Sequence, residues 1–349
     1  MTAEDPQKGR DRPEAETGAA TALAHPNIAL VKYWGKRDER LVLPWTDSLS
    51  MTLDTFPTTT RVRLAPGLRQ DTVTLDDELL VGEPHRRVVA FLDLIRERSG
   101  RPEKAVVESR NTVPTGAGLA SSASGFAALA TAACAAYGLR LGSRPLSRLA
   151  RRGSGSAARS VFGAFALWHA ARAGYDDPDL GSYAEPVPVR LDVLDPVLVI
   201  AVVDAGPKPV SSREAMRHTV DTSPLFRSWA ASSSADLAGM RAALHRADLD
   251  AVGEIAERNA FGMHAVMLAA RPAVRYLSPA SLTVLDAVLE LRRNGVSAWA
   301  TMDAGPNVKV LCRRAETERV ACAVRAATTG GSVHVAGPGP GVRLLGEYR

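Results

Sequence analysis

The sequence predicts an α+β protein of two domains, each a sheet layered against helices. Three observations lead there. Short apolar segments with strand character occur in both halves, and some pair across obvious turns. Longer stretches with helical spacing are grouped rather than alternating one for one with the strands. At 349 residues the chain can form one large unit or two moderate domains, with room for a substantial core.

Residues 1–20 are polar, rich in Ala, Glu, Thr, Pro and Arg, and lack an apolar segment; they are expected to be a flexible tail, not a signal peptide. Thr21 to Val31 reads as one buried strand entering the basic, aromatic turn Lys32-Tyr33-Trp34-Gly35-Lys36. Thr58 to Leu64 alternates as a strand does, and Lys104 to Ser109 is another short strand. Between them, Val88, Val89, Phe91, Leu92 and Ile95 give His85 to Arg98 helical spacing, closed by Gly100. An alanine-rich helix over Phe126 to Tyr137 and a short one over Ser143 to Arg151 follow, then a central strand over Val161 to Ala170. The stretches Glu185 to Pro188 and Asp192 to Pro196 are proline-punctuated connections, so a boundary is placed near residue 190, dividing 21–190 from 191–349.

The second half opens with a strand over Val197 to Val203 and a turn, Asp204-Ala205-Gly206-Pro207-Lys208. Ser211 or Ser212 then caps a helix. Pro224 to Arg246, Leu249 to Ala270 and Ser281 to Arg293 read as helices, the last stopped by Asn294-Gly295. Val296 to Met302 and Val308 to Cys312 pair around Asp303-Ala304-Gly305-Pro306-Asn307, and a helix (Ala315 to Ala327) and strand (Ser332 to Val335) finish the fold.

Composition narrows the function. Apolar residues make 46% and charged residues 23%, as in a soluble globular protein. The net charge of +5 is well mixed along the chain, favouring small anionic ligands over nucleic acid, which needs a basic stripe. The longest apolar stretches are too short to span a bilayer. Cys134, Cys312 and Cys322 show no metal spacing and suit a reducing, cytoplasmic setting, with Cys134 a small core residue.

The stretch Pro114-Thr115-Gly116-Ala117-Gly118-Leu119-Ala120-Ser121-Ser122-Ala123-Ser124-Gly125 runs straight into the alanine-rich helix. Glycines let backbone approach a ligand, serines supply hydroxyls, and a helix N-terminus attracts phosphate. It reads as a nucleotide-phosphate cradle, or else as a plain glycine-rich turn before a buried helix. No Lys follows as a Walker A loop requires, and Ser121 stands where a dinucleotide fingerprint has its third glycine.

Four further segments concentrate polar chemistry on loops. Lys32, Tyr33 and Lys36 can bind a multiply charged anion, or form a solvated basic turn. Ser154, Ser156 and Arg159 offer hydroxyls and a guanidinium fork for phosphate, or a small-residue packing loop. Lys208, Ser211, Ser212 and Arg213 combine cations with a helix cap. Asp303 is a general base or electrostatic partner for phosphates, or simply a turn residue. His25, His85 and His264 are scattered, and no zinc pattern or hydrolase triad signature is present. Together the segments suggest a nucleotide on one side, an anionic substrate on the other, and phosphoryl transfer between them.

Pro114 to Ala123 resembles the phosphate loop of the GHMP kinase superfamily. More narrowly, four blocks in order resemble the diphosphomevalonate decarboxylase family: Asn27 to Lys36, Gly116 to Gly125, Arg152 to Ser160, and Met302 to Lys309. The resemblance implies a ribosomal protein S5 domain 2-like N-terminal domain, a ferredoxin-like α/β sandwich C-terminal domain and a homodimer. It implies conversion of mevalonate 5-diphosphate and ATP, with Mg²⁺, into isopentenyl diphosphate, ADP, phosphate and carbon dioxide. Carried over, Tyr33, Lys36, Ser154, Ser156, Arg159 and Arg213 hold the substrate diphosphate. Ser121 and Ser122 hold ATP phosphates and metal, with the loop backbone of Gly116, Gly118, Leu119 and Ala120. Asp303, Lys36 and Lys208 form the catalytic set, Asp303 orienting or deprotonating the 3-hydroxyl and Lys208 neutralising transferring charge. A negative Asp303 would also stabilise the cation-like C3 that follows.

Departures from the family pattern are Gly116 for Ala, Ala158 for Ser or Cys, Trp45 and Asp47 for smaller or uncharged residues, and Asp204 for Asn. An added carboxylate near a diphosphate pocket is unfavourable unless paired or turned away. The alternatives are a related mevalonate-type substrate, monophosphate or free acid, and a non-catalytic binding protein; retention of Lys36, Arg159 and Arg213 favours a diphosphate.

Overall fold

The computed structural model describes residues 18–112, 121–170, 175–204, 206, 210–328 and 330–346. The chain enters β1 (Ala19–Ala24) and, past His25-Pro26, β2 (Asn27–Val31). The single strand expected over Thr21 to Val31 is thus two strands in different sheets. Pro26 has no N–H for a ladder, and the chain changes layer there. Most of the expected tail lies outside the described residues, although β1 already begins at Ala19.

The hairpin β3 (Lys36–Asp38) and β4 (Leu43–Pro44) precedes β5 (Ser48–Thr52), β6 (Thr58–Leu64), β7 (Thr72–Leu75) and β8 (Glu78–Leu79). Then come α1 (Gly82–Ser99), β9 (Ala105–Asn111), α2 (Ser121–Ala136), α3 (Ser143–Gly153), the one-turn α4 (Ala157–Ser160) and β10 (Phe165–Trp168). The short elements β11 (Ala184–Pro186) and α6 (Leu191–Leu194) overlap the stretches expected to be connections, and α5 (Pro178–Gly181) precedes them where no element was expected. After β12 (Pro196–Val202) come four helices: α7 (Ser212–Thr222), α8 (Phe226–Arg246), α9 (Leu249–Leu268) and α10 (Pro279–Arg293). The hairpin β13 (Ala298–Met302) and β14 (Val308–Arg313) is followed by α11 (Thr317–Ala327), β15 (Ser332–Ala336) and β16 (Arg343–Leu345).

Three sheets carry the architecture, ordered β16-β1-β6-β9-β7-β8, β11-β10-β5-β2 and β13-β14-β12-β15. Only β7 with β9 is parallel among the described pairs. In β6 the alternation holds: Thr58, Thr60, Val62 and Leu64 point inward. α2 packs on β1 and β6, its small residues admitting the helix close to the sheet. Gly100 closes α1 in the left-handed conformation (φ 67°), as its position implied.

β12 is buried throughout because its two faces serve two cores. Leu198, Ile200 and Val202 join Ile28, Leu30, Leu49, Met51 and Phe165, covered by Leu237, Met240 and Leu244 of α8. Val197, Val199 and Ala201 instead meet α10 and α11 through Val284, Val288, Val320 and Val324. The first of these cores joins strands from the first half to helices from the second. That union sets the end of β2 against α9.

The strand expected over Val161 to Ala170 is confined to Phe165–Trp168, inside the second sheet. Before it, Gly163 lies against the backbone at 339–341, Ala164 N–H donates to the Gly339 carbonyl at 2.8 Å, and Ala164 has φ 50°, outside the extended region. β5, β7, β8 and β16 are elements the sequence reading omitted. The α+β class stands.

Candidate active site

Lys32 follows the last residue of β2 and is 1% exposed. Its Nζ donates to the Ala29 carbonyl and to Asp303 Oδ1, each at 2.8 Å. Its backbone N–H donates to Asn259 Oδ1 of α9 at 2.8 Å. Asn259 Nδ2 in turn donates to Asp236 Oδ2 of α8 at 2.8 Å, and Arg258 Nη2 donates to the other Asp236 oxygen at 2.8 Å. The helix pair therefore fixes where Lys32 stands.

Asp303 begins the turn between β13 and β14, and Lys309 is the second residue of β14, its Nζ 3.3 Å from Asp303 Oδ2. The Asp303 side chain keeps a quarter of its surface open. Burial pushes its carboxyl upward, but the charges of Lys32 and Lys309 override this and hold it well below the usual carboxylate range. Burial pulls the Lys32 ammonium down to about 8, against the attraction of Asp303. Burial, with Lys32 adding to it, pushes the nearby His264 down to about 4, so the imidazole is neutral at pH 7. The Asp303 carboxylate with its two ammonium neighbours thus carries a net positive charge.

Arg159, on α4, is buried among neutral oxygens. Its Nε donates to Ser50 Oγ at 2.9 Å and Asn27 Oδ1 at 3.3 Å, and its Nη1 to Ser48 Oγ at 2.5 Å. Ser48 and Ser50 alternate along β5 with core residues Leu49 and Met51, so period two aims both hydroxyls at the guanidinium. Burial lowers Arg159 to about 10, and the Asp303 carboxylate opposes that fall.

Tyr33 meets Trp168 edge-on, with ring centroids 4.7 Å apart. Its Oη is buried with no hydrogen-bond partner among the described residues, and burial pushes the phenol up, leaving it a neutral donor. Ser122 Oγ, in the first turn of α2, is 3.2 Å from Ser154 Oγ, which is 3.4 Å from Ser156 Oγ. These contacts join the helix after the glycine-rich loop to the second glycine-serine loop. Gly155 between the serines is required by close approach: a Cβ there would sit 2.8 Å from both Tyr33 Oη and Trp168. Gly155→Ala is expected to displace the Tyr33 ring, costing about 1–3 kcal/mol of stability. Steady-state kinetics should show KM for the anionic substrate raised about tenfold, the equivalent of 1.4 kcal/mol. An unchanged KM would remove Tyr33 from substrate binding.

Lys36 and Arg213 line a cleft of about 460 Å³ together with Glu39, Arg87, Arg152 and Phe91. Arg87 donates to the Gly153 carbonyl through Nη2 at 2.6 Å and stacks over Phe126 at 4.5 Å. Burial lowers it to about 10, with Arg213 adding repulsion. Lys36 pairs with Glu39.

Tyr33, Ser154, Ser156, Arg159 and Asp303 all fall on this connected region, and Lys36 and Arg213 on its cleft. Ser121 and Ser122 open α2 with exposed side chains. Gly116, Gly118, Leu119, Ala120 and Lys208 lie outside the described residues. Ser211 is the cap of α7, its Oγ accepting the Glu214 N–H at 3.2 Å. Of the departures, Asp47 accepts the Ala170 N–H at 2.7 Å and stands 3.7 Å from His169 Nδ1. Asp204 accepts the Gly206 N–H at 2.7 Å. Neither lines the cleft. Trp45 packs on Phe226 with Arg227 over its ring.

Sequence reasoning gave no role to Lys309, Arg87, Ser48, Ser50 or Asn259. Lys309 had a signal, a lone cation inside the apolar run Val308 to Cys312. The Ser-Leu-Ser-Met alternation was a second. Asn259 had none, since its contact with Lys32 spans 227 residues.

The Lys32 ammonium is present below about pH 8 and lost above it, and with it one of the two charges that hold Asp303. The pH profile of kcat/KM, which reports the free enzyme, is expected to fall on its alkaline side from about 8. A profile flat to about pH 9.5 would show that Lys32 can be neutral during turnover.

Among the described residues no group of three or more His, Cys, Asp and Glu could hold a metal ion, and no helix is long and apolar enough to cross a membrane. Residues 24–180 match the diphosphomevalonate decarboxylase-like N-terminal domain, and residues 198–334 the mevalonate 5-diphosphate decarboxylase C-terminal domain. A curated relative, the diphosphomevalonate decarboxylase of Ganoderma lucidum, is 36% identical, the alignment covering 83% of this chain and 77% of that protein. The phosphomevalonate decarboxylase of Haloferax volcanii is 33% identical over 94% of this chain and 98% of its own. A solved structure determined with MVAPP, AMPPCP and magnesium superimposes with a TM-score of 0.88 at 41% identity, covering 94% of this chain and 98% of that one. These likenesses make the fold GHMP kinase-like, and the chain belongs to the diphosphomevalonate decarboxylase family.

Proposed function

We propose that the protein catalyses the ATP-dependent decarboxylation of mevalonate 5-diphosphate to isopentenyl diphosphate, ADP, phosphate and carbon dioxide. The observation that carries this is the Asp303 carboxylate, kept ionised between Lys32 and Lys309 beside the buried Arg159. An anion held this way is suited to one task, fixing a substrate hydroxyl for attack on a phosphoryl group.

Tyr33 Oη, Ser154, Ser156 and Arg159 would hold the inner part of the substrate diphosphate. Lys36, Arg213 and Arg87 would hold its outer end. Ser121 and Ser122, with the N–H groups of Gly116, Gly118, Leu119 and Ala120, would receive the ATP phosphates. The two serines offer hard hydroxyl oxygens at an exposed helix start, which fits Mg²⁺ carried largely on phosphate oxygens. When bound, that ion neutralises charge on the β- and γ-phosphates.

Asp303 accepts a hydrogen bond from the 3-hydroxyl and orients its oxygen toward the γ-phosphorus. Because its carboxyl is so strongly acidic, it takes the proton only as the new O–P bond forms and ADP departs. The net positive charge around it attracts the transferring phosphoryl oxygens, a task Lys208 would share. The same charge argues against strong stabilisation of a cationic C3 by Asp303 alone. The phosphate then leaves C3 with the C–O electron pair, and the C–C pair of the carboxylate becomes the alkene as carbon dioxide is lost.

A monophosphate substrate is the second reading, raised by the Haloferax volcanii relative. Six cations line the cleft, Lys36, Arg40, Arg86, Arg87, Arg152 and Arg213, against two carboxylates, Glu39 and Glu83, and this excess favours the diphosphate. Three free cysteines accord with a cytosolic setting, and the family resemblance with a homodimer. The test follows ADP and carbon dioxide separately from ATP and mevalonate 5-diphosphate. Equal release is expected; ADP without carbon dioxide would make the protein a kinase.

A further inference from the structure

We propose that Glu39 acts as a built-in competitor for Lys36 that tempers diphosphate affinity, so that the product can leave. The inference rests on the diphosphate reading above. Lys36 and Glu39 form an ion pair, and both line the cleft. Their exposures differ: the Lys36 side chain is 6% exposed and the Glu39 side chain 51%. The backbone beneath is fixed, since Asp38 Oδ1 accepts the Leu41 N–H at 2.6 Å in the turn from β3 to β4. The half-exposed carboxylate has solvent to turn into, whereas the ammonium is nearly enclosed.

Burial lowers the Lys36 ammonium, and Glu39 opposes that. In the free protein the carboxylate therefore favours the charged form of Lys36. When a diphosphate arrives, its terminal phosphoryl group takes the ammonium and Glu39 swings toward solvent. The diphosphate group is unchanged by the reaction, so whatever holds it binds substrate and product alike. Excess affinity there would slow release without lowering the chemical barrier. With Lys36, Arg87, Arg152 and Arg213 on one cleft, such excess is built in. The return of Glu39 to Lys36 offsets part of it each cycle.

The test compares wild type and Glu39→Gln, alone and combined with Lys36→Met, by calorimetry with inorganic diphosphate and by product inhibition with isopentenyl diphosphate. Glu39→Gln should tighten binding of both ligands about fivefold at low salt, the upper range for a partly exposed pair. KM for substrate should fall with them, and the gain should vanish when Lys36→Met is also present. Unchanged binding would make Glu39 a bystander on the rim. Weaker binding would mean that Glu39 positions Lys36 for the ligand. The same gain without Lys36 would show a general field effect; each of these three results overturns the proposal. Calorimetry with diphosphate needs no turnover, so a failed decarboxylation assay and a failed competition would be told apart.

Discussion

Asp303→Asn should lower kcat at least about a thousandfold while ATP affinity stays within about threefold, an effect in the range of losing a charge aimed at the reacting atoms. Asparagine keeps the shape and can still accept one hydrogen bond. It cannot balance Lys32 and Lys309, which are 1% and 2% exposed at their side chains. Two buried ammonium groups would then face each other without an anion. The fold should lose about 3–5 kcal/mol, the usual cost of removing one partner from a buried pair. Thermal unfolding must therefore accompany the kinetics, below the melting temperature of the variant. Near-normal kcat in a folded Asp303→Asn variant would remove Asp303 from the mechanism.

Arg159→Met should lower kcat/KM by about a thousandfold, as expected when a buried charge–phosphate contact worth about 4 kcal/mol is lost. Arg159→Lys should recover no more than about tenfold of this, because a point charge cannot replace a planar fork. The fork is specified in the structure: Nε is taken by Ser50 and Asn27, and Nη1 by Ser48. Those bonds fix the plane of the guanidinium. Lysine would keep the charge and lose the plane. A lysine variant with wild-type kcat/KM would show that only charge matters at this position.

What the sequence disclosed was local, and the reason is visible in these same residues. The alternation of β6, the spacing of α1 and the serine cap of α7 each lie within one element, where period and capping chemistry are legible. The candidate site was legible as separate loops, because each carries its own phosphate-binding residues. Their joining was not. Lys32 meets Asp303 across 271 positions, and Arg159 meets Ser48 across 111. No window of sequence contains either pair. The break at Pro26 is not legible because short apolar runs stand on both sides of it, and residue type does not tell which sheet a strand joins.

Asp303 illustrates the gain from geometry. From sequence its turn was ambiguous between structure and catalysis. The structure shows its carboxylate turned to Lys32 and Lys309, while the turn itself is closed by backbone, Gly305 N–H to Asp303 carbonyl at 2.8 Å. The side chain is therefore not needed to make the turn.

The most direct test of the central claim is a substrate panel with ATP and Mg²⁺, comparing kcat/KM for mevalonate, its 5-phosphate and its 5-diphosphate while ADP and carbon dioxide are both followed. The account predicts paired release of ADP and carbon dioxide from the 5-diphosphate, with kcat/KM at least about a hundredfold above the 5-phosphate, the value of one good charge-assisted phosphate contact. Preference for the 5-phosphate or the free acid would contradict it, and would assign the cations of the Lys36 cleft to some other anion.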